Sequence, residues 1–405
     1  MVATFSGKSM RLLVTLLLAG FLIVAAGMQA PAVEAVGVSG SWNVVPGPVN
    51  ATEASARLRS VDAVSSRDVW TVGYDITGHW DGSTWKTVNP ARPGNPADLA
   101  SVAALGSGDV WAVGRRQDTA SPYYNKTLTE HWDGQRWSIV ASPNGSRTSS
   151  ELLGVAAVSA NDVWAVGDFG ASAPMYQRTL IEHWDGANWT IVPSPNASNS
   201  SQNALTGVAA VSATDVWAVG YSLTSNNKTL IEHWDGKKWS IVPSPNVGSF
   251  GNGLTGVAAL GPNDVWAVGS TNNSATTLVL HWNGSTWSVV PSPSVAYWSN
   301  ILNSVVAVAR DDVWAVGTSL RDSYTADGDV QTSTLTLIEH WDGSAWSIVP
   351  SPNPGTGNNY YGTPVNQLAG VAAVSTSDVW AVGEYGESDG LNIHPKTLTE
   401  HYTSP

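Results

Sequence analysis

Val163-Trp164-Ala165-Val166-Gly167 occurs six times in this chain, and a seventh copy at Val69–Gly73 has Thr71 in place of the alanine. The tryptophans of the seven copies (Trp70, Trp111, Trp164, Trp217, Trp266, Trp314 and Trp380) are 41, 53, 53, 49, 48 and 66 residues apart. Self-similarity at a period near that length marks a propeller or a solenoid. Outward from the third copy, Leu153–Val158 is a run of small and branched apolar residues that reads as a strand buried on both faces. Ser159-Ala160-Asn161-Asp162 is the tight turn into the quoted strand. After a variable segment, Thr179-Leu180-Ile181-Glu182-His183-Trp184 reads as a third strand, and Asp185-Gly186 is a hairpin signal. Trp189-Thr190-Ile191-Val192 is the fourth strand, ended by Pro193-Ser194-Pro195-Asn196.

Four consecutive antiparallel strands per unit, repeated around an axis, make a β-propeller, whereas a solenoid needs atypical capping repeats at its ends. The two ends of the repeat array decide between them. The seventh unit stops after Glu400-His401-Tyr402 and lacks a fourth strand, while Ser41-Trp42-Asn43-Val44-Val45-Pro46 is a fourth strand with no first three before it. The expectation is an all-β, seven-bladed β-propeller over residues 41–403, with its N-terminal strand completing the last blade. The blades fall at about 55–90, 97–143, 150–196, 203–246, 252–294, 299–353, and 366–403 plus 41–48.

Of the 21 tryptophans, all but Trp298 occupy repeat positions, which predicts packing between neighbouring blades. The prolines after each fourth strand suit an outer rim, where they blunt an exposed edge. The pattern Asp-Val-Trp-Ala-Val-Gly, then Glu-His-Trp-Asp-Gly-x-x-Trp, then Pro-Ser-Pro resembles the kelch and Asp-box (BNR-like) propeller repeats. A single glycine stands where kelch units have a pair, Trp-Asp replaces Tyr-Asp, and the aspartate-to-tryptophan spacing is one residue shorter than in an Asp-box. The resemblance covers residues 41–403 and implies a seven-bladed propeller without implying a function.

Composition narrows the partners. The chain has no cysteine, so neither disulfides nor thiolate metal sites hold the fold. Residues 1–35 read as a secretory signal peptide: Lys8 and Arg11 before an apolar run Leu12–Ala26, then Val33-Glu34-Ala35 as a small-residue cleavage site. The formal charge is −13 for 405 residues, which disfavours nucleic acid and anionic lipid. The expected product is secreted, extracellular, monomeric and not held in a membrane once the leader is cleaved.

No residue set points to a catalytic, cofactor or metal centre. His79, His131, His183, His233, His281, His340 and His401 recur once per blade, too far apart for ligands that must converge within about 2 Å of one ion. Each is expected to hydrogen-bond within its own hairpin, and His394 falls outside the pattern, in a loop. Asp68, Asp109, Asp162, Asp215, Asp264, Asp312 and Asp378 are expected to accept turn N–H groups, and Asp81, Asp133, Asp185, Asp235 and Asp342 (Asn283 in the fifth unit) to shape the hairpin. Asp322, Asp327 and Asp329 form an incomplete calcium-loop pattern. The arginines, among them Arg57, Arg115, Arg178 and Arg321, fall at unrelated repeat positions rather than in the axial cluster a sialidase needs.

Loop lengths carry the functional hint. The second-to-third and fourth-to-first connections vary, reaching Thr318–Thr334 and Asn353–Gln367, and in an up-and-down blade both emerge on one side of the disc. Aromatic residues off the repeat pattern fall on that side, and Trp298, Tyr360, Tyr361, Tyr123, Tyr124, Tyr221 and Tyr385 are the candidate ligand-binding residues. The sequence therefore reads as a non-catalytic binding propeller for an extracellular glycan or protein surface. The alternative is a glycan-active enzyme, sialidase-like or galactose-oxidase-like, on the same scaffold.

Overall fold

A computed structural model describes residues 39–49, 57–91, 97–119, 124–146, 148–170, 176–197, 202–223, 226–271, 275–295, 299–324, 330–355, 365–388 and 393–404. The signal-peptide reading lies outside these residues. The described strands form seven antiparallel four-stranded sheets, each an up-and-down blade. Blade 4 shows the plan, with strands Gln202–Ser212, Asp215–Leu223, Asn227–Trp234 and Trp239–Ile241. In blade 7 the fourth strand is Ser41–Val44, paired with Ile393–Thr403 so that Trp42 faces Tyr402. The expected closure is therefore present.

The pentapeptide is buried from end to end: in blade 1, Asp68–Gly73 has no exposed residue. Its closing glycine is set by the paired first strand, which slips register there in every blade. The slip drives a carbonyl against the glycine, so that a Cβ on Gly167 would lie 2.0 Å from the Glu151 oxygen, and the other six copies are as tight. The Asp-Gly hairpins need glycine for another reason. Gly82, Gly134, Gly186, Gly236, Gly284 and Gly343 all sit at φ between +85° and +94°, which a side chain disfavours. The aspartate (or Asn283) before each of them accepts two backbone N–H bonds through Oδ1, as Asp235 does from Lys237 and Lys238 at 2.9 Å each.

Seven apolar clusters fill the seven blade interfaces, including the one that joins Ala372, Trp380 and Val382 of blade 7 to Leu58, Val61 and Val69 of blade 1. The tryptophans do the packing expected of them. Each second-strand ring meets the third- and fourth-strand rings of the next blade: Trp70 lies 5.2 and 5.8 Å from Trp132 and Trp137. Trp380 closes the circle at 4.9 and 5.5 Å from Trp80 and Trp85. In blade 7, Tyr402 replaces the third-strand tryptophan and lies 4.7 Å from Trp314.

The structure corrects three expectations and adds to a fourth. The aspartates before the second strands accept from the histidine ring of their own blade rather than from turn N–H groups: all seven His Nε2–Asp Oδ1 contacts are 2.7–2.9 Å. The first-strand serine takes the turn N–H in several blades instead, as Ser212 does from Thr214. The connection after Thr318 is largely hairpin, with Asp312–Tyr324 paired to Val330–Trp341 as far as Tyr324 and Val330. His394 lies in a strand opposite Glu387, not in a loop. Finally, the Pro-Ser-Pro-Asn segments are docked as well as edge-blunting: Asn246 Oδ1 accepts the Thr229 N–H at 3.0 Å, and the Thr229 hydroxyl is 2.8 Å from that of Ser244.

Candidate functional site

The first strands line the axis. Small residues stand at the register slip of each one (Ser60, Ser101, Gly154, Gly207, Gly256, Ser304 and Gly370), where neighbouring backbones approach too closely for more; a Cβ on Gly370 would lie 2.9 Å from the Ser60 Cα. Hydroxyl and amide side chains bond across to the next blade, as Thr206 does to the Leu254 carbonyl at 2.8 Å and Asn303 to that of Leu368 at 2.7 Å. The result is a narrow axial well of about 140 Å3.

At the variable-loop end of this well, sevenfold repetition stops. The residue after the pentapeptide is Tyr74, Arg115, Asp168, Tyr221, Ser270, Thr318 or Glu384, one per blade. Six of them pair across to Asp98, Glu151, Ala204, Gly253, Ile301 and Gln367 on the first strands. Side chains at and beside these positions pair in two groups, one on each side of blade 1. Arg59 Nη2 donates to Asp98 Oδ2 at 3.2 Å, and its Nε makes an ion-pair contact with Oδ1 at 2.7 Å. Arg115 reaches Asp98 at 3.1 Å and Glu151 at 2.5 Å. On the other side of blade 1, Arg57 lies 3.0 Å from Glu384, which also accepts from Gln367. A second cavity of about 80 Å3 opens among Arg59, Asp98, Arg115 and Glu151.

Asp168 completes the arc. Burial, reinforced by the charge of the adjoining Glu151, pushes its carboxyl up to about 7. Tyr221 stands beside them, and its phenol is raised by burial and by the charges of Asp168 and Glu151. Two of the four arginines named from the sequence, Arg57 and Arg115, thus converge at the mouth, joined by Arg59, against the expectation of scattered positions. Arg178 lies on the third strand of blade 3 and Arg321 far out on the blade 6 hairpin. Each converged guanidinium already has a carboxylate partner.

Of the aromatic candidates, Tyr221 alone is placed at the mouth among the described residues. Tyr124 is exposed where the third strand of blade 2 begins, its carbonyl accepting the Asp118 N–H at 2.8 Å. Tyr385 is one residue past the mouth position and therefore turned away, packed on the interface of blades 6 and 7. Trp298, Tyr360, Tyr361 and Tyr123 lie outside the described residues, as do Asp327 and Asp329. Asp322 accepts from the Thr332 hydroxyl at 2.6 Å. Among the described residues no group of three His, Asp or Glu side chains converges as a metal site would. The mouth network was readable in principle: it is where an alignment of the seven repeats against one another changes from apolar or small to charged.

No family model matches the chain, and no curated protein matches its sequence. Solved structures do resemble it. One described as YCF48 bound to D1 peptide superposes with a TM-score of 0.53 at 12% identity, over 93% of this chain and 97% of that one. YCF48 from Cyanidioschyzon merolae gives 0.52 at 14% identity, over 90% and 98%. A six-bladed fucose-recognising lectin of Aleuria aurantia gives 0.45 at 11%, over 75% and 95%. The likeness is one of fold, and the chain is a seven-bladed β-propeller.

Proposed function

We propose that this protein is a secreted, non-catalytic binding module that seats its ligand, an extracellular glycan or a protein surface, at the axial mouth of the variable-loop face. One observation carries the reading. Along the paired strands the blades largely copy one another, and at the mouth they differ, placing charged and hydrogen-bonding groups around a cavity with Tyr221 beside it. Structure alone does not require that variety, because blades 5 and 6 fold with Gly253, Ser270 and Thr318 at the same positions. A propeller of the same fold has been solved with a peptide bound, which is consistent with the ligand class. The repeats are read as kelch-like or Asp-box-like in ancestry, and the leader as cleaved after Ala35.

The enzyme alternative draws on the Glu151–Asp168 pair, an acid held near neutral pKa beside a second carboxylate. Glycosidases separate their two carboxyls by about 5–9.5 Å to admit a sugar bond or water. Here the two face each other directly across paired strands and Glu151 is held by Arg115 at 2.5 Å, which favours binding over hydrolysis. The test is a screen of glycan and peptide arrays with mature protein, repeated with Arg59→Ala. Hits weakened by about tenfold or more in the variant support the mouth as the site. Hits undiminished by the change place the ligand elsewhere, and release of reducing sugar from a bound glycan restores the enzyme.

A further inference from the structure

The mouth has two unlike arcs. Blades 7, 1, 2 and 3 supply charges that match one another: Arg57 with Glu384, and Arg59 and Arg115 with Asp98 and Glu151. The facing arc, in blades 5 and 6, carries Gly253 and Thr318 and no charge. The Thr318 hydroxyl is buried with no hydrogen-bond partner among the described residues. A charged ligand gains little from such a ring, because it must displace a partner already seated at 2.5–3.2 Å. An uncharged ligand rich in adjacent hydroxyls does not, since each hydroxyl both donates and accepts and can bridge unused edges of a guanidinium or a carboxylate.

Space points the same way. The cavity of about 80 Å3 has room for roughly two or three waters, and it borders the axial well. That admits the hydroxyl-bearing edge of one small ring but no segment of folded protein. Tyr221, half-buried at the corresponding position of the next blade and opposite Ala204, lies outside the cavity lining and offers an aromatic flank beside it. We infer that the mouth binds a single uncharged sugar residue edge-on, its neighbouring hydroxyls bridging the Arg59–Asp98–Arg115–Glu151 network and its apolar face set against Tyr221. This rests on the binding reading above and narrows it to neutral glycans.

Calorimetric titration of the mature protein tests it, using uncharged methyl glycosides and disaccharides, the matching uronic acids, and peptides. At least one uncharged sugar should bind, with an affinity that changes less than about twofold between roughly 50 and 500 mM salt. Its uronic acid should bind about tenfold more weakly or worse. Tyr221→Ser, which introduces the residue blade 5 carries there, should cost about tenfold in affinity with unfolding little changed. If that variant does not fold, Arg115→Gln, within the bridged network, should show the same loss. Preferential, salt-sensitive binding of the uronic acid overturns the inference. So does a peptide that needs Arg59 while every sugar fails, although the binding role then survives. Ligands indifferent to all three mouth variants sink both.

Discussion

At the scale of single residues, the repeat is a stacked column in which an aspartate holds a histidine and the histidine lies against a tryptophan. In blade 4 these are Asp215, His233 and Trp217, with the two rings 4.2 Å apart at 29°. The tryptophan then meets Trp282 and Trp287 of blade 5. Trp217→Ala should cost about 3–5 kcal/mol, measured by denaturant unfolding, because the neighbouring rings cannot close the cavity. One column position is less settled. Glu130, Glu182, Glu232, Glu339 and Glu400, one residue before the histidine, are wholly buried. Both oxygens of Glu232 and Glu400 lack a hydrogen-bond partner among the described residues. Blade 5 carries Leu280 at this position. Glu232→Leu should therefore stabilise the protein by about 1–2 kcal/mol, since a buried unsatisfied group is removed; a loss of that size would show that Glu232 is satisfied by ordered water.

At the scale of elements, each blade was legible because its four strands are encoded by local signals that repeat. Pentapeptide, Asp-Gly hairpin and Pro-Ser-Pro stop are read from sequence and found in place. Two features were not legible. The hairpin beyond Thr318 has no apolar alternation strong enough to mark it as strand, and only its pairing across to Gln331 and Val330 reveals it. The mouth network escaped because Arg57, Asp98 and Glu151 are far apart in sequence and unlike in chemistry. They converge only because each precedes the invariant leucine (Leu58, Leu99, Leu152) of a first strand. The strand that closes blade 7 is the element on which most depends. Trp42 is buried, Val45 donates to the Thr399 carbonyl at 2.9 Å, and Thr397 reaches the Pro48 carbonyl. Deleting Ser41–Pro48 should lower the melting temperature in one cooperative step; unfolding identical to the intact protein would mean the strand contributes nothing to closure.

At the scale of the molecule, the buried glutamates act together. Burial pushes Glu130 up to about 7 and Glu182, Glu232, Glu339 and Glu400 up to about 8. The unfolded chain releases these protons near 4.5, so between that pH and 8 the folded ring binds more protons than the unfolded chain. The stabilisation is complete below the unfolded value and is lost as pH rises through 7 to 8. Melting temperature should accordingly fall between about pH 5 and pH 9, and Glu232→Leu should flatten the slope. A profile that rises over this interval would contradict the burial of these carboxyls as ionisable groups.

Closure through the chain's first strand also constrains biosynthesis. Val45 and its partner Thr399 are 354 residues apart. At ordinary translation speeds of about 5–20 residues per second, the early segment waits on the order of 20–70 s for its slot to exist. Throughout that interval it resembles the outer strands of blades 1 to 6 and is a competitor for every one of them. Those slots are filled by the next few residues of a local hairpin, which forms far faster than a distant segment can arrive. By the time Ile393–Thr403 emerges, a single vacancy remains, so the order of synthesis itself selects the correct partner among seven near-identical choices.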